Sequence, residues 1–74
     1  MPPFKPIKFS IVKRKLQSFG FTLVSQKGSH IKFAKFTDQG VITAIVPNHR
    51  EVSPGTIKSI IKQAMLTSDE FDEA

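Results

Sequence analysis

The sequence predicts an α+β domain of element order α-β-β-β-α, with both helices on one face of a three-stranded antiparallel sheet. Three observations carry this. Residues 21–46 hold three runs that alternate or are rich in β-branched residues, separated by the hairpin signals Gly28-Ser29 and Thr37-Asp38-Gln39-Gly40. Residues 11–19 and 57–64 repeat apolar side chains at helical spacing. Gly20 and Pro47 fall where the first helix and the last strand have to end.

Residues 1–9 contain three prolines and read as an extended arm, because proline and the residue before it disfavour helix. Phe4, Ile7 and Phe9 are its candidates for packing on the body. Ser10 is the candidate N-cap of a helix from Ile11 to about Ser18. Val12, Leu16 and Phe19 form its core stripe, and Lys13, Arg14 and Lys15 occupy the other surface, either as a phosphate-contacting face or as a solvated one. The first strand opens at Phe21. The second runs from His30 to about Phe36 and the third from Val41 to Val46. On the second strand, Ile31 and Phe33 point one way and His30, Lys32 and Ala34 the other. With Ile31 and Phe33 in the core, His30 faces solvent beside Lys32.

Residues 47–55 read as a loop carrying His49 and Arg50. Thr56 or Ser53 caps a second helix that runs to about Met65, with Ile57, Ile60, Ile61 and Ala64 on its apolar stripe. Ser68 to Glu73 can form a short terminal turn docked by Phe71. The element order is that of the double-stranded-RNA-binding-domain architecture, and fold alone does not give function.

A chain of 74 residues is one domain with a small core, here residues 1–74 with an arm at 1–9 and an acidic tail at 67–74. Cysteine is absent, which excludes disulfides and thiolate metal sites and fits a reducing cytosol. No apolar run approaches the ~20 residues needed to span a bilayer, and the N-terminus lacks the apolar region of a signal peptide. The net charge of +5 is uneven. Residues 1–66 hold all 11 Lys and Arg against Asp38 and Glu51, a net +9, and residues 67–74 hold Asp69, Glu70, Asp72 and Glu73, a net −4. A body this basic implies an anionic partner, nucleic acid first.

Several chemistries find no support. Two histidines without cysteine make a poor zinc site, and the body lacks the clustered carboxylates of a two-metal nuclease. Phosphate-cradling glycine motifs are missing. Ser29 adjoins His30, but neighbouring strand residues face opposite ways, which argues against a direct nucleophile–base pair.

Four segments resemble, in order and spacing, the HicA (YcfA-like) family of toxin mRNA interferases. They are Phe19-Gly20-Phe21, Lys27-Gly28-Ser29-His30, Val46-Pro47-Asn48-His49 and the stretch from Pro54 to Ala64, together covering roughly residues 6–66. The resemblance implies a double-stranded-RNA-binding-like fold, cleavage of mRNA under stress in the cytoplasm, and inhibition by a cognate HicB-type antitoxin. From the residues themselves no cofactor, metal or membrane is expected. The family's catalytic histidine lies in Gly-Ser-His and so maps to His30, with Gly28 as the turn residue that presents it. His49 matches a histidine common in the family and carries over as a structural or substrate-facing residue. Lys27, Ser29, Lys32 and Lys35 complete the expected RNA-binding set. The arm before Ile7 and the tail after Thr67 are less typical of the family.

The residue chemistry agrees. Without metal, RNA can be cut by attack of its own 2′-OH on the adjacent phosphorus, which needs a base, an acid and cations for the phosphorane charge. Imidazole serves as base or acid near neutral pH, and Lys27 or Lys32 can stabilise the charge. His49 and Lys32 are the candidates for the second proton transfer. A non-catalytic RNA-binding module of the same fold, and an interaction domain for an acidic protein, are the alternatives.

Overall fold

The central strand of the sheet is the one that carries His30. The computed structural model describes residues 5–74. In chain order its elements are β1 (Ile7–Lys8), α1 (Phe9–Ser18), β2 (Thr22–Lys27), β3 (His30–Thr37), β4 (Gly40–Pro47), β5 (Glu51–Val52), α2 (Pro54–Gln63) and α3 (Ser68–Glu73). Strands β2, β3 and β4 form an antiparallel meander with β3 in the middle, and β1 pairs with β5 in a separate two-stranded ribbon. The α+β architecture and the three-stranded meander agree with the sequence.

Turn chemistry sets the register. Gly28 sits at φ +59 and Ser29 does not have positive φ, so the two-residue loop closing Lys27 against His30 fits a type II′ turn. The twist of that turn matches the strands it joins. With the register so fixed, Ile31 and Phe33 are buried against the helices together with their β4 partners Val46 and Ala44. Val12 and Leu16 of α1 and Ile57, Ile60 and Ile61 of α2 close the core from the other side. Burying side chains of this size contributes about 1.5–3 kcal/mol each, and Phe33 has no exposed surface at all.

Both long helices end in the same way, with different residues in the strained position. At the end of α1, Phe21 N–H donates to Leu16 O (3.1 Å) and Gly20 N–H to Gln17 O (3.0 Å), a Schellman motif with Gly20 at φ +94. At the end of α2, Leu66 N–H donates to Ile61 O (3.0 Å) and Met65 N–H to Lys62 O (3.1 Å). There the left-handed residue is Met65, at φ +59.

Several boundaries differ from the sequence reading. Ser10 is not the N-cap of α1. The helix starts at Phe9, Lys8 takes the cap position without a side-chain bond, and Phe9 N–H donates to Arg50 O (3.2 Å). A tertiary carbonyl does the work expected of a local hydroxyl. Within the arm, Ile7 and Lys8 are extended as expected and pair with Val52 and Glu51, and the arm ends at Lys8 because Phe9 is helical. Phe4 lies outside the described residues. Likewise 47–55 is not all loop: β5 lies within it and Val52 is fully buried. Strand β2 starts one residue late, carries a register shift between Leu23 and Ser25, and buries none of its own residues, whereas α2 packs on the other edge strand, β4. Phe21, just before β2, supplies the core contact. Ala34 is buried although it faces away from the core, between its cross-strand neighbours Thr22 and Thr43.

Ser53 caps α2, its Oγ accepting from Thr56 N–H (3.4 Å). The tail is more ordered than a turn. Thr67 and Glu70 form a capping box for α3 with bonds of 3.1 and 2.8 Å, and Phe71 is fully buried. Lys15 Nζ donates to Phe71 O (2.8 Å) and lies 5.2 Å from the Phe71 ring centroid. Of the α1 basic cluster, Lys15 is thus committed to holding α3.

Met65 offers a direct check of these helix ends. A side chain in the left-handed region costs about 1–2 kcal/mol, and Met65 is exposed, so little packing is lost on its removal. Glycine costs about 0.5–1 kcal/mol in chain entropy. Met65→Gly should therefore raise the stability measured by urea unfolding, by up to about 1 kcal/mol. A clear loss would show that Met65 makes contacts worth more than its strain.

Candidate active site

His30 is the first residue of β3, and its position follows from the facing of the two residues beyond it. With Ile31 and Phe33 inward, His30 and Lys32 are exposed on the opposite face. Lys27 lies directly across β2 from His30, so the two share a face, and Lys32 pairs with Ser25 on the same side. Lys27 and Lys32 therefore form a cationic row beside His30 at the turn end of the sheet. Gly28 and Ser29 make the turn that holds this row. A Cβ on Gly28 would meet nothing within 4 Å, so its backbone conformation is what favours glycine there.

Lys35 is not brought to this row. It pairs with Ile42 on the core-side face, and its aliphatic stem lies near Gly20 at the end of α1. The stem of Lys35 thus packs along the C-terminal end of α1 and away from His30.

On the other side of His30, strand β4 and helix α2 enclose an open groove of about 540 Å³. His30, Pro47 and His49 line one part of it, and Glu51, Ser53, Thr56, Ser59 and Gln63 line much of the rest. The two histidines, nineteen positions apart in sequence, thus border one space. Two sets of backbone bonds bring them there. His30 pairs with Pro47 at the end of the β3–β4 ladder, and Asn48 N–H donates to Ser29 O at 2.6 Å, extending the contact past the last pair. His49 N–H donates to Pro47 O at 2.9 Å, a tight three-residue turn. Beyond it, β5 is held by β1. The His49 segment is anchored at both ends.

The α2 wall of the groove escaped the sequence reading. Thr56, Ser59 and Gln63 recur at helical spacing, a polar uncharged stripe beside the isoleucines. That spacing was the available signal. Gln63 Oε1 accepts from Ile45 N–H (3.0 Å) on the free edge of β4, and Gln63 Nε2 donates to Ser59 Oγ (3.2 Å). One side chain thus covers an edge amide and fixes the wall. Glu51, one of only two acids in residues 1–66, also lies in the groove. Among the described residues no three His, Cys, Asp or Glu side chains gather as metal ligands.

Fold and groove together define a small basic α+β domain with a histidine-lined cleft at a sheet edge. The family model for the HicA toxin of bacterial toxin–antitoxin systems matches residues 9–66, most of the 74-residue chain. The chain belongs to the HicA toxin family. It is accordingly the toxin of a toxin–antitoxin system, a class that implies a cognate antitoxin. The matched span includes every residue of the groove and leaves out β1 and α3. A comparison with curated proteins gave no match. Among the described residues no helix is long and apolar enough to cross a membrane.

The anchoring of the His49 segment can be measured. The Asn48 amide should exchange with deuterium well below the unprotected rate, because its bond to Ser29 O opens only with the end of the ladder. Exchange at the free-peptide rate would mean that His49 is not held beside His30.

Proposed function

We propose that this toxin is an mRNA endoribonuclease that works in the cytoplasm without a metal ion, uses His30 as a catalytic group, and is neutralised by a HicB-type antitoxin. The observation that carries the proposal is the placement of an exposed imidazole between a cationic row and an open groove. Lys27 and Lys32 supply the row, and the groove runs from His30 to α2.

The arrangement suits RNA cleavage by the RNA itself. The ribose 2′-OH attacks the adjacent phosphorus, the O2′–P bond forms and the P–O5′ bond breaks. Charge builds on the non-bridging oxygens as it does so. Lysine ammonium groups on the His30 face are placed to stabilise that charge without chemistry of their own. In this reading His30 exchanges a proton with one of the two ribose oxygens, a task imidazole performs well near neutral pH. The row and the groove flank the histidine, so a strand of RNA crossing from one to the other brings a phosphate to it. The same face gives an antitoxin a target. Phe36 and Val41, a cross-strand pair at the other end of the same face, are both largely exposed, and an apolar contact sharing a face with the cationic row suits an acidic protein partner.

His30→Ala separates catalysis from folding and from binding. His30 is exposed, so the substitution should shift stability by no more than about 0.5 kcal/mol. Cleavage of mRNA should fall by roughly 10²–10⁴-fold while RNA affinity largely persists through the lysines. Wild-type cleavage should continue in excess EDTA. A folded variant that cuts at the wild-type rate would remove His30 from the mechanism, and loss of wild-type cleavage on chelation would mean a metal-dependent reaction. A wild type that binds RNA and never cuts it would make the protein an RNA-binding module.

A further inference from the structure

His30 alone accounts for one proton transfer, and cleavage by the 2′-OH needs two. From the shared groove and the double anchoring of the 47–52 segment, we infer that His49 is the second proton-transfer residue. The inference rests on the endoribonuclease reading above and assigns the half of the reaction that His30 leaves open.

Three observations point to His49, and the first sets it apart from Lys32. First, His49 borders the same groove as His30, whereas Lys32 is not part of its lining. Second, His49 is exposed and yet not on a free loop. Its own N–H bonds Pro47 O, its neighbour Asn48 bonds Ser29 O, and Glu51 and Val52 pair with Lys8 and Ile7. A general acid or base must meet its proton within hydrogen-bond reach, so a side chain on an anchored segment is better placed than one on a mobile tip. Third, the groove is large enough for a phosphodiester with its flanking sugar and is open to solvent, so RNA can enter it from the sheet face. The charged and titratable groups that line it are His30, His49 and Glu51, with Lys27 beside His30 on the sheet face.

The proton count closes. One imidazole, neutral, takes the proton from the 2′-OH as the O2′–P bond forms. The other, as imidazolium, gives a proton to O5′ as the P–O5′ bond breaks. The products are a 2′,3′-cyclic phosphate and a 5′-hydroxyl, and the two histidines finish with their protonation states exchanged. Proton exchange with water restores them. No oxidant, reductant or cofactor is consumed.

The test is single-turnover cleavage of a short RNA that the wild type cuts at one mapped bond. It is made with that bond normal and with O5′ replaced by sulfur. A thiolate leaves without protonation, so losing the general acid is repaired by the sulfur substrate and losing the base is not. His49→Ala and His49→Gln, alongside His30→Ala, should each lower the single-turnover rate by roughly 10²–10⁴-fold on the normal RNA with affinity little changed. With the sulfur substrate, the rate should return for one histidine position and not for the other. Circular dichroism and thermal melts of the variants check that they are folded, and the Gln variants keep the polar bulk.

His49 variants that cut the normal RNA within a few-fold of the wild type would overturn the inference. So would a loss confined to affinity, or a lost rate that sulfur restores at both positions or at neither. These outcomes are distinct from failure of the endoribonuclease reading. In that case the wild type itself leaves both RNAs intact, and both conclusions fall together.

Discussion

The inward packing of Ile31 and Phe33 is the constraint on which the rest of this structure depends. Both are buried on the central strand, beneath two helices and against Val46 and Ala44 of the neighbouring strand. A one-residue slip of β3 would turn that whole set toward solvent. The same alternation that forces them in forces His30 and Lys32 out. The position of the histidine is therefore a consequence of core packing, and the imidazole itself need contribute nothing to stability. The turn Gly28-Ser29 secures the register from the adjacent end, since a two-residue loop leaves little freedom in which residues face each other.

A second layer of placement comes from segments that contribute few residues. The β1–β5 ribbon is two residues long on each side, and its pairing fixes where the chain returns after β4. Phe9 N–H bonds Arg50 O, so the start of α1 is capped by the backbone of the segment that carries His49. Folding of the first helix and placement of the groove are thus linked through one hydrogen bond. Lys15 ties α3 to α1 in a similar way, by donating to carbonyls at the end of the tail. The acidic tail is therefore part of the folded body, with Phe71 in its core.

Much of this was legible in the sequence, where the signals were local. The alternation at Ile31 and Phe33, the helical stripes of Val12, Leu16, Ile57 and Ile60, and the turn glycine at position 28 each announce themselves within a few residues. What was not legible depends on partners distant in sequence. Nothing near Phe9 says that Arg50 will cap it, and nothing near Val52 says that Ile7 will pair with it. Strand β2 reads as an alternating run, but none of its residues is buried, because the helices pack elsewhere on the sheet. Lys35 looked equivalent to Lys32 by proximity to His30, and parity along the strand sends it to the other side. At the site, Lys27 and His30 were readable as neighbours across a hairpin. The groove was not, because its α2 wall is built of Thr56, Ser59 and Gln63, whose uncharged side chains give a weaker signal than lysine or histidine.

The chemistry of the cut ends tests the central claim most directly, because 2′-OH attack leaves a signature that no other route shares. A purified sample of this toxin is incubated with mRNA in excess EDTA, and the new termini are probed by enzymatic end-labelling and mass spectrometry. Attack by the ribose hydroxyl, driven by histidine proton transfer, gives 2′,3′-cyclic phosphate on one fragment and 5′-hydroxyl on the other. Fragments that carry 5′-phosphate and 3′-hydroxyl would instead report attack by water, and would contradict the mechanism assigned to the His30 face.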